Sequence, residues 1–189
     1  MIQVPLDAAV LARAHEIVQQ ENILPAGAVD RSISGKGAGA VWEGAVGQAV
    51  FERAMADLGI TCIHDGRITH DYKAPVGTVE VKTKERSYAP KGYFEASLYN
   101  YNESWQSASW YAFVSLLLAD GQTKTSAPSE GKYSAAWVMG CIKHERFIEI
   151  AKEVKKGDQL QNGQLAGFSS RNIQYSELET IKNLGGTND

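Results

Sequence analysis

The chain has 189 residues, 43% of them hydrophobic and 22% charged, with a formal net charge of −3. That size and composition suit one globular domain with its own core, and the slight acidity argues against a protein that coats nucleic acid indiscriminately. No apolar run approaches the ~20 residues a membrane-spanning helix needs, so no membrane association is expected. The N-terminus has no basic region followed by an apolar one, so no secretory signal is expected. Cys62 and Cys141 lie in apolar stretches and are too few for a disulfide framework. A cytoplasmic protein with reduced thiols is the expectation.

In chain order, residues 7 to 21 read as a helix with Asp7 as its N-cap and Ala8, Leu11, Ala12, Ile17 and Val18 at roughly helical spacing. Asn22 to Ala40 reads as a loop, rich in glycine and alanine around Lys36. Its Gly35-Lys36-Gly37 lacks the residue order of a phosphate-binding loop. Val41 to Leu58 is the strongest helix, apolar around most of its circumference and stopped by Gly59. A short strand is expected over Ile60 to Ile63, then a turn at Asp65-Gly66. A hairpin follows, with arms Arg67 to Lys73 and Thr78 to Lys84 around Pro75 and Gly77. Phe94 to Leu98 reads as a strand and Asn100 to Ser107 as a turn or short helix. Ser109 to Ala119 reads as a buried strand, and the stretch Gly121 to Lys132 as an exposed loop. Ala135 to Ile142 is a further strand, His144 to Val154 a helix, and the polar tail carries a weak helix near Tyr175 to Leu184. That order predicts an α/β domain on a mixed sheet.

The chemistry concentrates in the hairpin. Side chains alternate along a strand, so Glu80 and Lys82 share a face, and Asp71 can come up beside them from the neighbouring arm. Two carboxylates and one ammonium at one point are costly unless a cation lies between the acids, and a hard divalent metal is the usual occupant. Asp71 and Glu80 would hold Mg²⁺ with the Val81 carbonyl as a third oxygen ligand, and Lys82 would orient a water or offset developing charge. The chemistry so read is phosphodiester hydrolysis. Two other groupings carry less. Cys62-x-His64 and Cys141-x-x-His144 have cysteines on apparent core strands and no finger-like loop, which argues against zinc. His70 adjoins Asp71 but should face the opposite way.

Thr78-Val79-Glu80-Val81-Lys82-Thr83, with Asp71 nine positions before Glu80, resembles the acidic strands of the PD-(D/E)xK nuclease superfamily. His70 stands where that family usually has proline. Upstream, Gly44-Ala45-Val46-Gly47-Gln48 resembles the family's helix, with Gln48 at the place of its glutamate and Glu43 as the alternative acid. Gln48 and Glu43 are about 140° apart around a helix, so both cannot easily face the hairpin. The resemblance covers residues 41 to 158, including Trp110 to Leu118 and Ala135 to Gly140. It implies one restriction-endonuclease-like nuclease domain over 1–189, with an N-terminal helix and Gly-rich loop at 1–40 and a polar extension at 159–189.

It further implies a Mg²⁺-dependent deoxyribonuclease, Mn²⁺ able to substitute, acting on double-stranded DNA. Two-fold DNA makes a homodimer the natural form of an enzyme that cuts both strands. Lys84 and Arg86 are candidates for phosphate contacts. Tyr99, Asn100, Tyr101, Asn102 and Gln106 are of types that reach base edges or stack on bases. Gln48 in place of an acid would bring no charge, which keeps a second reading open: a nucleic-acid-binding protein that retains the fold without cutting. A third reading makes Glu80-Val81-Lys82 solvated surface on an unrelated α/β protein.

Overall fold

The computed structural model describes residues 1–22, 37–67, 69–99, 108–160 and 163–186. The fold is mixed α/β. A six-stranded sheet has the order β1 (Ile2–Val4), β7 (Tyr133–Lys143), β6 (Trp110–Leu118), β4 (Gly77–Arg86), β3 (His70–Ala74), β2 (Ile63–Arg67). Only the β4–β6 pair is parallel; the other neighbours are antiparallel. A second sheet of three short strands runs β5 (Glu95–Tyr99), β9 (Ser170–Gln174), β8 (Lys152–Val154). Among the described residues no helix is long and apolar enough to cross a membrane.

The first two helices form close to where the pattern predicts, the second starting four residues earlier, at Gly37. Helix α1 is Ala8–Asn22, and the Asp7 carboxylate accepts from the Val10 amide at 3.0 Å, as an N-cap does. Helix α2 is Gly37–Asp57, and Gly59 follows it in the left-handed region at φ 70°, where a side chain would be strained. Trp42, Ala45, Val46, Ala49, Val50, Phe51, Ala54 and Met55 are all buried. One face of α2 lies on the large sheet against Tyr72, Val79 and Val81, and α1 covers it from outside.

Gly47 makes that packing close: a methyl group added there would run into the Thr83 side chain, whereas at Gly44 it would meet nothing within 4 Å. On the opposite face of the sheet Tyr111, Phe113, Met139 and Ile142 form a second core. Ala96 and Leu98 of β5, Ile173 of β9, and Phe147 of helix α3 (His144–Ile150) complete it.

Several expected elements differ. Asp65-Gly66 lies inside β2 rather than forming a turn, because β2 pairs with β3 through an irregular register between His64 and Arg67. The helix expected to Val154 stops at Ile150 and the chain becomes β8. The tail is more than a polar extension: β9 pairs on both sides, and Ile173, Ile181 and Leu184 are buried. The loop expected to end in exposed Lys132 instead buries that lysine almost completely, at 1% exposure. Strand β1 was not foreseen; three residues are too few to show a period.

Candidate functional site

Strand β4 carries the site because its two faces do different work. Val79 and Val81 point into the core under α2, while Glu80 and Lys82 point the other way. Lys82 Nζ donates to Glu80 Oε1 at 2.9 Å, confirming the shared face. Both are sheltered, with side-chain exposures of 7% for Glu80 and 17% for Lys82.

Strand β3 pairs with β4 at Ala74↔Gly77, Lys73↔Thr78 and Tyr72↔Val79, and the ladder ends there. Beyond that point the Asp71 carboxylate takes the role of a backbone partner: Val81 N–H donates to Asp71 Oδ2 at 2.7 Å. A residue in a strand directs its N–H and C=O to the same edge, so the Val81 carbonyl lies on the edge that Asp71 occupies. The second carboxylate oxygen, Oδ1, accepts from Gln48 Nε2 at 3.1 Å. Asp71 therefore links helix α2 to the middle residue of Glu80-Val81-Lys82.

The choice between Gln48 and Glu43 is decided by these contacts. Gln48 is on Asp71. Glu43 instead accepts from the Glu85 amide through Oε1 at 3.2 Å. The Val81 amide, held by Gln48's partner Asp71, and the Glu85 amide, held by Glu43, are four strand positions apart, about 13 Å along β4.

Further side chains that sequence reasoning missed hold Gln48. His64 Nε2 lies 3.1 Å from Gln48 Oε1. Tyr72 OH reaches the Gln48 carbonyl at 3.3 Å and Glu52 Oε1 at 3.0 Å. Arg13 clamps Glu52 with bonds of 2.6 and 2.9 Å, and that carboxylate raises the guanidinium's basicity. Burial, reinforced by Glu52, keeps the Tyr72 phenol protonated well above its usual range. The available signal was Gln48 and Glu52, two polar residues one turn apart within the mostly apolar stretch of α2.

The remaining candidates are placed as follows. Lys84 Nζ donates to the Glu95 carbonyl at 3.3 Å and to Ser97 Oγ at 3.2 Å. Arg86 donates to Glu95 O at 2.7 Å and Tyr175 OH at 2.9 Å, its guanidinium between the Phe94 and Tyr175 rings. Both thus bind the large sheet to the small one. Tyr99 is half-buried, with its ring 5.9 Å from that of Phe168. Asn100, Tyr101, Asn102 and Gln106 lie outside the described residues. His70 is turned to Asp65, 3.1 Å away, and so is not a base for the site. A cavity of about 110 Å³ opens beside Lys82, bordered by Glu43, Lys84, Glu85, Tyr99 and Lys124.

Among the described residues no three His, Cys, Asp or Glu side chains meet in a way that could hold a metal ion. The residues expected to hold Mg²⁺ are of a different kind: the carboxylates of Asp71 and Glu80 and the Val81 carbonyl, all hard oxygens. That fits Mg²⁺, which is commonly held by one or two carboxylates and keeps several waters. No protein-family model matches the chain, and no curated protein is significantly similar to it.

Proposed function

We propose that this protein is a Mg²⁺-dependent deoxyribonuclease with a restriction-endonuclease-like core, cutting double-stranded DNA endonucleolytically. The observation that carries this reading is the 2.7 Å bond from the Val81 amide to Asp71. It joins the acid of one strand to the centre of Glu80-Val81-Lys82, which supports placing Asp71 beside that motif. Asp71, Glu80 and the Val81 carbonyl would hold the ion, Mn²⁺ being able to substitute. When bound, it supplies Lewis acidity toward the scissile phosphate and acidifies a water.

The chain's own groups do the rest. Gln48 and the Val81 N–H, both donating to Asp71, keep its carboxylate oriented. Lys82, resting on Glu80, orients the attacking water and offsets charge growing on the phosphate oxygens. Water adds to phosphorus, one P–O bond breaks, and the departing oxygen takes up a proton. Lys84, Tyr99 and the segment bearing Asn100, Tyr101, Asn102 and Gln106 are the proposed DNA contacts. Arg86 serves better as a strut between the sheets. A homodimer with two such sites would serve both DNA strands.

One observation favours a second reading, a DNA-binding protein without cleavage: the helix residue on Asp71 is an amide rather than an acid. Plasmid incubated with Mg²⁺ separates the two. Nicking or linearisation by the wild type, lost in Lys82→Ala and Glu80→Ala, supports the nuclease. Cleavage that survives both substitutions would overturn the site, and binding without cleavage of linear, supercoiled, branched or single-stranded DNA would favour the second reading.

A further inference from the structure

We infer that His64 is the positioning residue of this site: its ring N–H fixes the Gln48 side chain as a donor to Asp71 and keeps the Gln48 oxygen away from the metal position. The inference rests on the proposed nuclease reading for its consequence, but its geometry stands apart from it. An ionised carboxylate can only accept. The Gln48 end 3.1 Å from Asp71 Oδ1 is therefore the NH₂, and the end 3.1 Å from His64 Nε2 is the carbonyl oxygen. An amide oxygen also only accepts, so His64 Nε2 carries a proton. The neutral ring is then the Nε2–H tautomer.

The imidazole is itself held. His64 faces Tyr72 across the β2–β3 ladder, with the rings 5.2 Å apart, and Tyr72 OH reaches the Gln48 main-chain oxygen. His64 and Tyr72 thus hold the side chain and the backbone of the same glutamine.

The need for such a device follows from the residue type. A glutamine amide presents a donor at one end and an acceptor at the other. Before metal arrives, the Asp71 charge alone favours the NH₂ end. Once a cation lies against Asp71 that preference weakens, and the amide oxygen becomes an attractive extra ligand. The His64 N–H holds that oxygen where it is. The site then takes its cation through Asp71, Glu80 and the Val81 carbonyl, while Gln48 remains an orienting group.

The test uses the full chain with ¹⁵N-labelled histidine at about pH 8, well above the ordinary imidazole pKa of about 6.5. Long-range ¹H–¹⁵N correlations should show His64 protonated at Nε2; an Nδ1–H tautomer would overturn the inference. In a second arm, Mg²⁺ affinity is measured by calorimetry for wild type, His64→Ala, Gln48→Ala and the double variant. The two changes should couple by about threefold or more, because a positioning residue acts only through its target. His64→Gln, which retains an N–H donor, should recover part of the lost orientation. Independent, additive effects would overturn the role. A wild type that neither binds Mg²⁺ nor cuts DNA would sink the nuclease reading while leaving the tautomer result to decide the geometry by itself.

Discussion

The edge of β4 beside α2 is served at two points by the same device. A carboxylate accepts a strand amide at each: Asp71 that of Val81, Glu43 that of Glu85. The surroundings are opposite in charge logic. At the Glu85 end, Lys132 Nζ lies 2.7 Å and Tyr133 OH 2.5 Å from Glu85 Oε1, and all three residues are buried. Burial and the adjacent carboxylate push the Tyr133 phenol far up, so it stays a donor. That end meets its acid with an ammonium from inside the protein and is built for stability. At the Asp71 end the carboxylate accepts from two neutral groups, the Val81 amide and the Gln48 side-chain NH₂, while Lys82 pairs with Glu80. The same hydrogen-bonding motif is thus a rivet at one end and, on the proposed reading, part of a cation site at the other.

If that contrast holds, charge removal should separate the two ends cleanly. Asp71→Asn keeps shape and removes charge. Plasmid cleavage in Mg²⁺ should fall by roughly 10³-fold, the scale of losing a group that stabilises developing charge, while the melting temperature moves by only a few degrees. At the other end Lys132→Met strands the buried Glu85 carboxylate. Urea unfolding should show a loss of about 3–5 kcal/mol, with cleavage per folded molecule unchanged. Glu85→Gln in the same chain should return much of that loss, because the uncompensated charge is gone. Lys132→Met that folds normally, or Asp71→Asn that melts early, would erase the distinction.

Both ends depend on how closely α2 approaches β4, and the two helix glycines sharpen that dependence. Gly47→Ala drives a methyl into Thr83 and should cost about 1–3 kcal/mol, the range for an overfilled core. Gly44→Ala meets no neighbour and should be neutral or gain up to about 1 kcal/mol from helix propensity. Chemical denaturation of the two variants measures the difference, and equal effects would mean that close packing at Gly47 does not set the helix position.

The parts of this molecule legible in its sequence are those governed by a local period. Helix α2, the hairpin, β6 and the shared face of Glu80 and Lys82 all follow from spacings of 3.6 or 2. The tie between Asp71 and Val81 depends on where the β3–β4 ladder stops, a matter of tertiary twist that no period records. His64 reaches Gln48 across strand pairing that no period records, and the irregular register after it makes Asp65-Gly66 read locally as a turn. Lys132 looks like surface charge in a polar run, and becomes core only when β4 brings Glu85 beneath it. The C-terminal strand is invisible for the same reason. Ser170 to Gln174 alternates weakly, and its partners are 18 and 79 residues away by the pairs Glu153↔Arg171 and Glu95↔Gln174.

The smallest predicted effect tests the comparison at its finest point. Gln48→Glu replaces the neutral donor on Asp71 with a second acid, giving the Asp71 end three carboxylates and still one ammonium. Without metal, two carboxylates then face one another across the present 3.1 Å contact, and one of them must move or bind a proton. The cost should be on the order of 1 kcal/mol at neutral pH, because adjacent like charges disfavour the ionised pair. Like charges raise the pKa of the pair in the folded state. The variant's stability relative to wild type should therefore be fully kept below the unfolded carboxylate pKa of about 4 and decline as pH rises through the raised value. Saturating Mg²⁺ reverses the sign, because an ion bound only to the folded chain stabilises it by mass action and the added acid strengthens that binding. Thermal melts with and without Mg²⁺ measure both halves. A Gln48→Glu chain whose melting point ignores Mg²⁺ would show that the Asp71 end, like the Glu85 end, is closed to outside cations.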